Sequence, residues 1–161
     1  MKNLILIRHA KSSWDTPVED IDRRLEQRGV KDAHLVSSNI HDFLPKTFVV
    51  FSSTAKRASA TAIIFAQNIQ YPIDNIVFSE LFYTFDDKQL EKIIKTFEKA
   101  VESVILFGHN DAITNFVNKF GDIIIPNVPT SGFVSLSFDV DCWSKIQKGK
   151  TNKIVIPKDF K

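Results

Sequence analysis

The sequence predicts an α/β domain: a mostly parallel central sheet with helices on both faces, in a three-layer α/β/α arrangement. Three observations carry that reading. The runs Leu4–Ile7, Phe48–Phe51 and Val104–Phe107 are apolar without polar alternation, as in strands buried on both faces. Each is followed by a segment whose apolar residues recur at helical spacing, the strand–helix alternation of a parallel sheet. In Phe133–Val140, by contrast, Val134, Leu136, Phe138 and Val140 alternate with Ser135, Ser137 and Asp139. That pattern predicts an antiparallel strand with one solvated face near an edge, with Ile154–Ile156 as its mate.

The elements between these runs follow in order. Asp15–Asp22 is acidic, carries Pro17 and reads as a loop, and Ala33, Val36, Ile40 and Phe43 mark a first helix ended by Pro45. Ser52-Ser53-Thr54 supplies hydroxyls suited to capping the next helix, whose buried face is Ala55, Ala58, Ala62, Phe65 and Ile69. Ile76–Phe78 is a short third strand and Ser79–Asp87 a loop, with Asp86 and Asp87 at the start of a third helix. That helix carries Leu90, Ile93, Ile94, Phe97 and Val101. Ile113, Phe116, Val117 and Phe120 face the core from a fourth. No repeat, linker or low-complexity stretch divides residues 1–161, which form one domain.

Composition bounds the function. With 161 residues, 43% of them hydrophobic, the chain has enough material for a sizeable core, and its 14 Phe make that core rich in aromatic rings. A net charge of +2 without a Lys/Arg block argues against nucleic acid as a partner. The single cysteine, Cys142, cannot form an internal disulfide, and no Cys/His spacing resembles a zinc site. His34 and His41 lie seven apart on an expected helix and read as surface residues, so no metal is expected. There is no P-loop and no glycine fingerprint after a strand, and no cofactor is implied. The start of the chain lacks the pattern of a signal peptide, and no apolar stretch approaches the roughly 20 residues that span a bilayer. A cytoplasmic, soluble protein is the expectation.

Chemistry gathers where the apolar runs stop. Arg8 and His9 end the first, Arg57 lies just beyond the second in the first turn of a helix, and His109 ends a later one. In a parallel sheet these ends share one edge, where ligand crevices form. Two guanidiniums offer planar forks of donors that match a tetrahedral oxyanion, and the helix N-terminus favours an anion too. Imidazole is a competent nucleophile toward phosphorus when unprotonated and stabilises charge when protonated. A phosphoryl group is the ligand this set fits, with the roles of the two histidines left open by the residues alone.

The ordered set RHAKSSW, SSTAKRASATA, LFGHN and PTSG, each at its place after a strand or near the end, resembles the histidine phosphatase superfamily. The resemblance runs from Leu4 to about Trp143 and is greatest to the SixA-like branch of phosphohistidine phosphatases. It implies a phosphoglycerate mutase-like fold, with His9 as the phosphoryl-accepting nucleophile. Arg8, Arg57 and His109 become the rest of the phosphate pocket, with no metal required. Arg23 matches an arginine common in this branch and is a candidate for the pocket rim, with Ser12 and Asn110. Trp14 either covers the pocket or packs under its loop. Three positions depart from the family pattern: Thr54, Arg24 and Asp111 each stand where a proline is usual. Asp111 is expected to cap the helix that follows, pointing away from the pocket.

Cleaving a phosphate ester calls for an acid to protonate the leaving alkoxide. Glu80, just after the third strand, sits where the superfamily often keeps one. A phosphohistidine relaxes that need, because its leaving imidazole can be protonated before the bond breaks. Only about fifty residues separate Arg57 from His109, which leaves little chain for a cap over a small metabolite. The expectation is therefore a phosphatase acting through a phosphohistidine intermediate on a phosphorylated partner protein, such as a histidine phosphotransfer domain. The alternatives are a small phosphorylated substrate, with Glu80 as acid, and a non-catalytic phosphate- or phosphoprotein-binding module.

Overall fold

Alternation along the central strands decides the layers. In the computed structural model, which describes residues 1–161, β1 (Lys2–Arg8) pairs in parallel with β4 (Ser103–Gly108). Leu4 and Leu6 of β1, with Val104 and Leu106 of β4, face one helical layer, while Ile5, Ile7, Ile105 and Phe107 face the other. All eight are at most 1% exposed, and burying each such side chain stabilises by roughly 1.5–3 kcal/mol. That is why these runs show no polar alternation: both faces are core.

The sheet order is β3-β2-β4-β1-β5-β6, with β2 spanning Val49–Ser53, β3 Val77–Ser79, β5 Phe133–Phe138 and β6 Lys150–Val155. β2 pairs in parallel with β4 and β3, whereas β5 runs antiparallel to β1 and to the edge strand β6. The fold is thus three-layer α/β/α, with a mostly parallel sheet and antiparallel pairing at one edge, the topology of phosphoglycerate mutase-like proteins. Helices α1 (Gln27–Ser37) and α2 (Lys56–Asn68) cover one face and pack on each other. Helices α3 (Asp87–Ile94) and α4 (Ala112–Phe120) cover the other. Part of the Phe content has a place here. Phe51 stacks on Phe97 at 5.0 Å, and Phe97 meets Trp143 edge-on at 5.5 Å, offset and edge contacts that aromatic rings prefer.

Element ends differ from expectation for local reasons. α1 stops at Ser37, because Ser37 Oγ donates to Ala33 O (2.6 Å) and Asn39 Nδ2 donates to Leu35 O (2.7 Å), occupying carbonyls of the last turn. Ile40 still reaches the core, from outside the helix. α3 likewise ends at Ile94, where Thr96 Oγ1 donates to Ile93 O (2.6 Å), while Phe97 and Val101 pack on the core from the turn beyond. Asp86 caps α3 by accepting from Lys88 N at 3.0 Å. The solvated face expected on β5 is largely covered: Ser135 is only 8% exposed, with Phe133 on the same face packed in the α1/α2-side core. β6 begins four residues before Ile154. No helix is long and apolar enough to cross a membrane.

Candidate active site

Register sets the site. Arg8 pairs with Gly108 and Ser52 with Phe107, so β1, β4 and β2 finish level with one another. The backbone then locks the residues beyond: His9 N donates to Gly108 O (3.0 Å), and Ser131 N lies within reach of Arg8 O (3.0 Å) and His9 O (3.2 Å). Ser131, in the Pro129–Gly132 turn, is fully buried with φ 61°, a left-handed conformation that costs a side-chain-bearing residue energy. Ala10 N donates to Thr61 Oγ1 (2.8 Å), which itself donates to Arg57 O (2.7 Å), tying the strand end to α2. Gly29 of α1 lies directly on the backbone of Lys11, where a Cβ would overlap the Lys11 carbonyl.

His9 is 9% exposed, and its Nδ1 lies 2.7 Å from Ala10 O. A carbonyl only accepts, so Nδ1 carries the proton and Nε2 keeps its lone pair. Burial lowers the His9 pKa to about 4; the Ala10 hydrogen bond opposes this, and Arg57, Arg8 and Arg23 add to the lowering. The His109 ring centre is 5.2 Å from that of His9, with Tyr83 and Phe85 edge-on to it. Its Nε2 shares a hydrogen bond with Ser53 Oγ (2.8 Å), while its Nδ1 is buried without a partner. Burial, then His9 and Arg57, lower its pKa to about 3. Both rings are therefore neutral near pH 7.

The guanidiniums are anchored at one side and open at the other. Arg8 Nη1 donates to Val128 O (2.9 Å), and burial lowers its pKa while the nearby Asp111 charge opposes that. Arg57, 2% exposed, gives Nη1 to Asp20 O (2.7 Å) and Nη2 to Asp20 Oδ2 (2.9 Å). The Nε of each is buried with no partner, leaving a donor in hand. Arg23, expected at the rim, is 8% exposed and three-way bonded, through Nε to Ser13 O (3.2 Å), Nη1 to Asp20 Oδ1 (3.3 Å) and Nη2 to Ser12 Oγ (2.6 Å). Trp14 neither packs under the loop nor is buried: it is 76% exposed and lies flat on the Arg23 guanidinium at 3.2 Å.

A cavity of about 390 Å³ opens among these groups, lined by Arg8, His9, Ser12, Arg23, Arg57 and Asn110, all singled out in the sequence. Lys11, Trp14, Asp20, Glu26, Phe85 and Thr130 complete the wall. His109 stands just behind it, in contact with Phe85. Glu80 does not join: it is exposed at the start of a short turn and lies outside the lining, and Tyr83 at the end of that turn reaches Asp20 instead. Helix α4 is capped by Asn110, whose Oδ1 accepts from Thr114 N (3.1 Å) and Oγ1 (2.8 Å), whereas Asp111 makes no side-chain cap. His34 and His41 are exposed. No three His, Cys, Asp or Glu side chains are grouped to hold a metal ion.

Asp20 is the residue that sequence reasoning missed. Its carboxylate accepts from Arg57, Arg23 and the Tyr83 hydroxyl. Burial raises its pKa, but those bonds outweigh it and hold the group at about 2. The available signal was weak: an acidic residue three before Arg23, in a loop facing a cluster of cations.

Fold and pocket together define a phosphoglycerate mutase-like α/β/α protein with an arginine-lined cavity at its strand ends. Residues 4–81 match the model of the histidine phosphatase superfamily (branch 1). It is similar to the structure of the protein histidine phosphatase SixA complexed with tungstate, with a TM-score of 0.82, 18% identity and 99% of each chain covered. It is also similar to a mycobacterial glucosyl-3-phosphoglycerate phosphatase in complex with VO3 (TM-score 0.71, 11% identity, 95% of this chain and 98% of that one). At these identities the likeness is one of fold. An uncharacterized protein of Mycobacterium leprae (strain TN) is 29% identical, over 81% of this chain and 86% of its own.

Proposed function

We propose that this protein is a phosphatase that works through a covalent phosphohistidine intermediate and acts on phosphohistidine in a partner protein. The observation that carries the reading is the His9 ring. Its Nδ1 proton is committed to Ala10 O, so Nε2 is unprotonated within a cavity lined by three guanidiniums. In the first step Nε2 attacks phosphorus and the bond from phosphorus to the substrate's imidazole nitrogen breaks. That nitrogen keeps the bonding pair, and the imidazole leaves neutral with its proton already on the other ring nitrogen. Arg8, Arg57 and Arg23 hold the equatorial oxygens. His109 is neutral in the free cavity, and its Nδ1 becomes a donor once a phosphoryl dianion beside it favours the protonated ring. In the second step water attacks the phosphorus on His9, releasing inorganic phosphate and restoring the imidazole.

Two features favour phosphohistidine over an alkyl ester. The carboxylate best placed by sequence to act as an acid, Glu80, is outside the cavity, and Asp20 is ionised and fully engaged. The cavity also opens at the surface beside the exposed rings of Trp14 and Phe85, accessible to a side chain on another protein. SixA is described as a protein histidine phosphatase, and the same substrate class is assigned here on these grounds. The test is turnover of a phosphohistidine peptide against an aryl phosphate, with trapping of acid-labile phosphate on the protein. Preference for the peptide with a trapped phosphoenzyme supports the reading. Preference for the ester with loss in Glu80→Gln makes the protein a small-molecule phosphatase, and turnover of neither makes it a binding module.

A further inference from the structure

Four cationic side chains line the cavity, Arg8, Lys11, Arg23 and Arg57, against two carboxylates, Asp20 and Glu26. Of the two, Asp20 is the one bonded to the arginines. It takes both Nη donors of Arg57, one through its carbonyl and one through its carboxylate, and its other oxygen takes Arg23. Arg57 is therefore held by its far end, with Nε left over as a buried donor. Asp20 is itself fixed from behind by the hydroxyl of Tyr83, whose ring packs on His109. Its side chain is 42% exposed, so it forms part of the cavity wall and not of the core.

We propose that Asp20 is a positioning residue that sets the strength of the anion site: it orients Arg57 and Arg23 while cancelling part of their charge, so that the cavity binds a phosphoryl group and still releases phosphate. The inference rests on the reading of this cavity as a phosphate site. Its physical basis is that a site complementary to a dianion holds the product as well as the transition state, and excess ground-state affinity slows release without aiding chemistry. A carboxylate within 3.3 Å of two guanidiniums competes with the incoming phosphoryl oxygens for the same charge. It lies at the start of a short turn, Asp20–Asp22, whose backbone Asp20 carbonyl Arg57 also grips. The acidic character of this loop thus acquires a function. Asp20 stays ionised throughout the physiological range, so this counter-charge is permanent and not a switch.

The sign of the effect separates this role from a structural one. In Asp20→Asn the amide oxygen still accepts from Arg57 and Tyr83, and only the charge and the Arg23 bond are lost. Titration of inorganic phosphate into the wild type, Asp20→Asn, Asp20→Ala and Asp20→Glu at fixed ionic strength reads the site directly, with melting curves to establish folding. Phosphate binding is expected to tighten about tenfold in the Asn variant and to a smaller degree in the Ala variant, which also loosens Arg57. It should return to near the wild-type value in the Glu variant. KM and kcat should fall together in Asp20→Asn as phosphate release becomes limiting. Phosphate binding that weakens or stays unchanged in a folded Asn or Ala variant overturns the proposal and leaves Asp20 a structural anchor. A wild type that binds no phosphate at about 10 mM overturns the phosphate-site reading and this inference with it.

Discussion

The centre of the sheet and its β3 edge carry residues of similar chemical promise and treat them differently. At the centre, β1 and β4 are buried on both faces; the backbone beyond β1 is tied to Ser131 and Thr61, and to the end of β4 through His9 N and Gly108 O. Arg8, His9 and His109 consequently sit on buried, hydrogen-bonded backbone. At the edge, Val77 and Phe78 are 49% and 40% exposed, β3 is three residues long, and Glu80 follows it into solvent. A functional group needs a rigid support before it needs a suitable pKa. The contrast teaches that a position in the sheet, and not residue type, separates the cavity from its neighbours.

The largest effect is expected at His9. His9→Ala should lower turnover by about 10³-fold or more and abolish acid-labile labelling, because the proposed nucleophile is lost. Stability should divide along the same line. Leu106→Ala, fully buried in β4, is expected to cost about 2–5 kcal/mol in urea unfolding, against about 0.5 kcal/mol or less for Val77→Ala on the edge. Equal costs would mean that β3 is covered in solution.

Protonation sharpens the comparison further. The unfolded histidines titrate near 6.5, the folded His9 at about 4 and His109 at about 3. Between those values the unfolded chain binds more protons, so stability must fall as pH drops from about 6.5 to about 4. From pH 7 to 5 the loss should be roughly 4 kcal/mol by urea midpoints, about 2 kcal/mol from each histidine, with Asp20 contributing only at lower pH. The smallest effect belongs to the edge carboxylate: Glu80→Gln should change phosphohistidine turnover by about threefold or less. A larger loss would bring the β3 turn into the chemistry and end the contrast.

Much of this was legible in the chain because the central strands announce themselves. An apolar run that halts at Arg8-His9 or Gly108-His109 marks both a buried strand and its open end. The layers followed from helical spacing alone. What did not follow depends on contacts between residues far apart in sequence. Asp20 meets Arg57 across 37 residues and Tyr83 across 63, and nothing local distinguishes it from Glu19 or Asp22. Arg23, a rim candidate in the sequence, is nearly buried because Trp14 lies over it. The helix ends were misplaced where Ser37, Asn39 and Thr96 turned back on the last carbonyls, since such bonds compete with helix only when the fold presents them.

The seat of α1 on the strand end has a consequence for how this scaffold tolerates change. Gly29 contributes no atom to the cavity, yet any larger residue there would collide with the main chain that carries Lys11, two positions from His9. The side chains around the mouth are open to exchange, and a library randomising Lys11, Trp14, Glu26 and Phe85 can retune what docks there. Gly29 is the position such a library must hold fixed, because its variation would shift the chain at Lys11, and His9 with it, before any selection for a new partner could act.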